Sequence, residues 1–68
     1  MKIKYFSDTD TALLEFSKNE VYETKEINEN IYIDLGKDGK LISMTIEHAK
    51  EQAAIKELSY QEIEKEIA

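Results

Sequence analysis

The sequence predicts an α+β domain, an antiparallel meander sheet of four or five strands followed by one or two C-terminal helices. Two observations carry that prediction. Over residues 30–47, Ile31, Ile33 and Leu35, then Ile42, Met44 and Ile46, alternate with polar neighbours on either side of Asp38-Gly39, which is the pattern of a β-hairpin. From His48 onward the period of two is lost, and Ala49, Lys50, Glu51, Gln52, Ala53 and Ala54 follow as strong helix formers. With 68 residues the chain is expected to be one domain with a small core, residues 1–47 forming the sheet and 48–68 a helical C-terminus.

The elements follow in order. Lys2-Ile3-Lys4-Tyr5-Phe6 alternates as a strand with Ile3 and Tyr5 inward. Ser7-Asp8-Thr9-Asp10-Thr11 is a turn, because short polar side chains bond to nearby backbone. Ala12-Leu13-Leu14-Glu15-Phe16 is a second strand with Leu14 and Phe16 inward, and Ser17-Lys18-Asn19-Glu20 turns the chain again. Residues 21–27 make a weaker strand, since Val21 and Ile27 share a face with the charged Glu23 and Lys25.

In the hairpin, Leu35 is expected opposite Ile42, Ile33 opposite Met44 and Ile31 opposite Ile46, so that all six share one face. That requires an even-numbered loop. A two-residue type I′ loop would set Lys37 against Lys40, an unfavourable like-charge pair. A four-residue loop from Lys37 to Lys40, built on a type I turn with Gly39 at positive φ, avoids it.

Beyond the hairpin, Ser59-Tyr60-Gln61-Glu62 has the form of a helix-starting capping box, with Leu58 and Ile63 at the staple positions. Tyr60, Ile63 and Ile67 would line one face of a second helix. Ile55 and Leu58 point nearly opposite to that stripe, so a break at Leu58-Ser59 is expected. These helices are thin cover for the apolar face of a five-stranded sheet, and self-association as a homodimer is the expected remedy.

Charged residues make up 35% of the chain and apolar ones 41%, the balance of a folded domain. The net charge is −6, with nine lysines, no arginine and fifteen carboxylates. That argues against nucleic acid, whose phosphates need clustered cations. It suits a basic protein partner, because complementary fields speed encounter. The absence of cysteine excludes disulfides and thiol chemistry. No apolar run is long enough to span a membrane, and a soluble, cytoplasmic protein is expected.

Tyr5, the stretch Asp10-Thr11-Ala12-Leu13-Leu14-Glu15-Phe16, Glu23-Thr24-Lys25-Glu26-Ile27, Ile31-Tyr32-Ile33-Asp34, Asp38-Gly39 and Ile42-Ser43-Met44-Thr45-Ile46 together resemble the small bacterial proteins grouped as the "domain of unknown function 2283" family. The resemblance covers about residues 1 to 50. The family's usual glycine is Ser43 here, and its usual glutamate is Thr45. The resemblance implies a compact antiparallel sheet and carries over no reaction, cofactor or site residue. Such proteins are often encoded beside another small protein resembling an RNA-cleaving toxin, which implies an antitoxin-like role.

Candidate chemistry is sparse, and no enzyme activity, cofactor or metal is expected. His48, the one imidazole, has Glu47 beside it and Glu51 and Gln52 one helical turn on, which is half a metal site. Its structural reading is a junction residue, exposed or bonded to backbone. Asp8, Asp10, Glu15 and Glu23 could meet as paired carboxylates, but turn solvation accounts for Asp8 and Asp10. Tyr22, Tyr32 and Leu41 are expected on the face away from the helices. With Tyr60 they are the candidate partner-contact residues. The expected function is therefore a non-catalytic protein-interaction module, antitoxin-like and neutralising a basic partner. The alternative is a self-associating structural or small-ligand-binding domain.

Overall fold

The computed structural model describes residues 1–64. Among these residues five strands, β1 (Lys2–Phe6), β2 (Thr11–Glu15), β3 (Glu23–Asn28), β4 (Ile31–Leu35) and β5 (Leu41–Glu47), precede a single short helix, α1 (Ala49–Gln52). All pair antiparallel in one sheet. The strand order is β1-β2-β5-β4-β3, not the sequential meander. The β1–β2 hairpin and the β3-β4-β5 meander are joined by pairing β5 to β2, and β3 is sent to the edge. The reason is composition. A sequential order would bury Glu23-Thr24-Lys25-Glu26 in the middle strand and leave Ile42, Met44 and Ile46 on an edge. The observed order puts Ile42, Met44 and Ile46 at the centre and gives the edges to the strands that carry most of the charge, β1 and β3.

Register assigns the faces. Ile3 pairs with Leu14 and Tyr5 with Ala12. Ala12 pairs with Ile46 and Leu14 with Met44, and these face Ile31 and Ile33 as expected. The turn end differs. Leu35 pairs with Leu41, and a bulge between Asp34 and Leu35 sets Leu41 and Ile42 together against it. The loop has three residues, not four. Gly39 N–H bonds Gly36 O at 2.9 Å, and Gly36 N–H bonds Lys40 O at 2.9 Å. Gly39 is left-handed at φ 84. A type I turn followed by a left-handed glycine is the standard three-residue hairpin connection. The bulge supplies the residue that restores parity, so an odd loop still leaves Ile33 opposite Met44. Lys37 and Lys40 are kept from facing each other, as charge requires.

The C-terminal region departs most from expectation. Helix stops at Gln52, and residues 53–64 form turns, bends and irregular chain. The capping box at Ser59 starts no helix within the described residues. Ile67, part of the expected second stripe, lies outside them. Nucleating a short helix is unfavourable unless its apolar face packs on something. Here Leu58, Tyr60 and Ile63 are 69%, 82% and 63% exposed.

Residues 53–58 instead lie across one half of the apolar face. A gap of about 180 Å³ is lined by Ile3, Ala12, Leu14 and Ile46 beneath and by Ala53, Ala54, Ile55, Glu57 and Leu58 above. No residue of β3 or β4 lines it. On the uncovered half Ile31, Ile33 and Leu35 are only half-buried. Among the described residues the buried apolar core is Ala12, Ile42 and Ala49, and no large side chain is fully enclosed. The radius of gyration is 14.0 Å, against about 11 Å for a compact chain of this length.

Candidate functional site

Most of the unusual geometry gathers at one end of the sheet. The β1–β2 turn, the β3–β4 turn and the β5–α1 junction meet there. Two non-glycine residues, Asp10 (φ 52) and His48 (φ 54), are left-handed, a conformation that costs most side chains free energy and that aspartate tolerates better than most. Asp10 is the hub. Its carbonyl accepts the Ala49 N–H at 2.9 Å. Its Oδ1 accepts the Tyr5 hydroxyl at 2.6 Å and the Lys50 N–H at 3.2 Å. The first N–H groups of a helix have no partner within it. His48, the N-cap, makes no capping bond with its side chain, and Asp10 does this work from the other end of the chain.

Electrostatics follow the geometry. The Tyr5 hydroxyl holds the Asp10 carboxyl below its ordinary value. The Lys50 N–H and the charges of Lys50 and His48 add to this, and burial opposes it. The same bond, with burial and the Asp10 charge, holds the Tyr5 phenol above its ordinary value. The Lys50 ammonium stands 5.9 Å from the centre of the Tyr5 ring, a cation–π distance.

His48 sits at the strand-to-helix junction and is exposed, as expected. Its partner is a side chain, however. Nδ1 lies 2.9 Å from Asn30 Oδ1. An amide oxygen can only accept, so Nδ1 is the donor in this bond. Asn30 also takes the Glu47 N–H on its carbonyl at 2.7 Å and gives its own N–H to Asn28 Oδ1 at 2.8 Å. Glu29, Asn30, His48 and Glu51 border a shallow groove. Among the described residues no three metal-ligating side chains converge. The carboxylates suggested as pairs also separate. Glu15 is at the far end of β2, in an ion pair with Lys4 at 3.2 Å, and Glu23 is on the opposite edge strand.

The four candidate contact residues do not form one patch. Tyr32 is on the polar face, its hydroxyl donating to Glu29 O at 3.3 Å. Burial, then the charges of Glu47, Glu26 and Glu29, hold that phenol above its ordinary value. Leu41 pairs with Leu35 and so belongs to the apolar face, contrary to expectation, because the bulge turns it there. Tyr22 is exposed just before β3. Tyr60 lies beside Met1, Ile3 and Leu58, near β1 at the opposite side of the sheet. The polar face has its own organiser in Asp34. Its two oxygens accept the Thr24 and Ser43 hydroxyls at 2.6 Å each, tying β3, β4 and β5 together.

Residues 2–50 match the family described as "Protein of unknown function (DUF2283)". The chain belongs to that family. The match takes in all five strands together with Tyr5, Asp10, Asn30, His48 and Lys50, so the whole turn cluster of this DUF2283 protein lies inside it. The segment that crosses the apolar face lies beyond the match. No curated protein and no solved structure matches the chain. The description names no activity, and geometry gives these side chains a mechanical part. They hold three turns and a helix end together.

Sequence reasoning marked Asp10 and His48 but missed Asn30 and Tyr5 as their partners. The signal for a local turn was the run of Ser, Asp and Thr in residues 7–11. Nothing local announces a bond between residues forty apart in the chain.

Proposed function

We propose that this DUF2283 protein is a non-catalytic interaction module whose half-covered sheet is completed by a basic protein partner, an antitoxin-like role. One observation carries the reading: the apolar face is built but not closed. Ile31, Ile33, Leu35 and Met44 stand in register on it, while no large side chain is fully buried anywhere among the described residues. Apolar area left open in this way is a reservoir of binding free energy, about 25 cal/mol per Å² covered. The net charge of −6 selects for a basic partner and speeds its arrival. No helix among the described residues is long and apolar enough to cross a membrane.

The test is capture of a partner by the intact chain, reconstitution of the purified pair, and amide exchange on the complex. Slowed exchange over Ile31–Leu35 and at Met44, with affinity that falls as salt rises, is expected. A partner that leaves those amides unchanged, or binding indifferent to salt, would overturn the reading. The alternative, self-association, is favoured by a different feature, the exposed backbone of the edge strand β3.

A further inference from the structure

We infer that the chain forms a two-fold dimer through β3, antiparallel to the same strand of a second copy and centred on Thr24. This rests on the self-association reading and specifies which surface carries it. β3 is the last strand of the sheet, and every one of its residues is exposed. Which of its backbone groups are free follows from the neighbouring strands. The Glu47 N–H bonds Asn30 O, so Asn30, Tyr32 and Asp34 turn their backbone groups toward β5. Ile31, Ile33 and Leu35 then turn theirs toward β3, where Leu35 O accepts the Tyr22 N–H at 2.8 Å. Glu23 pairs with Leu35 and Lys25 with Ile33, and their backbone groups face inward. Those of Thr24 and Glu26 face out, unpaired, as on any open edge.

Charge then selects the register. A two-fold axis perpendicular to the sheet sets one residue opposite its own copy. Centring on Glu23 or Glu26 opposes two carboxylates, and centring on Lys25 opposes two ammonium groups. Centring on Thr24 opposes Thr24 to itself, with mutual N–H to carbonyl bonds, and sets Glu23 against the partner's Lys25 on both sides of the axis. These flanking pairs are of the closer, non-hydrogen-bonded kind, where side chains interact most strongly. Among the described residues neither Glu23 nor Lys25 has an ion-pair partner within the chain. The other edge, β1, carries Lys2 and Lys4 on one face, and Lys4 already holds Glu15. The product is one continuous sheet with the apolar faces of both copies on the same side. A single partner could cover both.

The experiment is sedimentation of the intact protein over a wide concentration range with three variants. Lys25→Glu leaves two acidic residues facing two acidic residues, and Glu23→Lys leaves two basic residues facing two basic ones. Each is expected to weaken the dimer about tenfold or more. Mixing the two variants is expected to give a heterodimer, and the double variant Glu23→Lys/Lys25→Glu is expected to recover wild-type association. Both side chains are exposed, so circular dichroism should show all variants folded. A wild-type chain that is monomeric throughout overturns the inference together with the self-association reading. A wild-type dimer that neither single variant weakens, or that mixing fails to restore, overturns the β3 interface alone.

Discussion

Replacing Gly39 with L-alanine and with D-alanine should move stability in opposite directions. Gly39 has φ 84, and a β-carbon built there meets nothing within 4 Å. Steric contact is therefore absent, and only backbone preference decides. Holding an L-residue in the left-handed region costs about 1–2 kcal/mol. The stiffer unfolded chain returns about 0.4–1 kcal/mol. Gly39→Ala should therefore destabilise by about 1 kcal/mol, lowering Tm by roughly 4–8 °C in a domain this small. D-alanine has no left-handed penalty and keeps the unfolded-state gain, so it should stabilise by about 0.4–1 kcal/mol. A chain of 68 residues is within reach of chemical synthesis, and urea unfolding of the three proteins supplies the comparison. Asp38 separates this loop from the two-residue alternative, in which it too would be left-handed. Here it is not among the positive-φ residues, and its Oδ1 accepts the Lys40 N–H at 3.0 Å. Asp38→Gly should therefore destabilise. Equal effects of L- and D-alanine, or stabilisation by Asp38→Gly, would refute the three-residue loop.

Three further outcomes are expected. Met44→Lys puts a charge between Leu14 and Ile33 at the centre of the apolar face and should cost about 3 kcal/mol or more, while Thr45→Lys on the other face should cost less than about 1 kcal/mol by urea unfolding. Ser59→Ala should change stability by less than about 0.5 kcal/mol, because no helix begins there for the hydroxyl to cap. The Asp10 carboxyl binds its proton less readily in the folded than in the unfolded chain, so its contribution is complete above about pH 4 and is lost as pH falls through the lowered value. The stability advantage of wild type over Asp10→Asn should accordingly shrink as urea titrations are repeated below that pH. An advantage that stays constant would refute the assignment.

Five strands and their inward residues could be read in the sequence because a period of two is a local signal. Ile3, Leu14, Ile33 and Met44 all lie on the predicted face. Which strands become neighbours could not be read that way, since alternation assigns a side chain to a face and says nothing of the strand beside it. A clue existed in β3, where Glu23 and Lys25 share the apolar side, an arrangement that suits an edge and not a centre. The second helix was misread for a related reason. The Ser59–Glu62 capping box is a real start signal, but it needs a surface for Ile63 to pack on, and Ile63 is left mostly exposed. In the turn cluster, His48 and Asp10 stood out by residue type. Their partners Asn30 and Tyr5 are ordinary until the sheet brings three turns together.

The placement of β5 also bears on how the chain assembles. Its central strand is the last of these five to be synthesised. Until residues 41–47 leave the ribosome, the first hairpin has no neighbour along the inner side of β2, and Leu14 and Ala12, paired only with β1, wait for Met44 and Ile46. The β3-β4-β5 meander can close quickly through short turns, whereas the β5–β2 seam joins segments some thirty residues apart in sequence. Closing so long a loop is the slow, entropically costly step. Asp10 can cap the helix only once that seam has closed. The cap therefore reports completion of the sheet, and amide exchange at Ala49 and Lys50 would time the last event in folding.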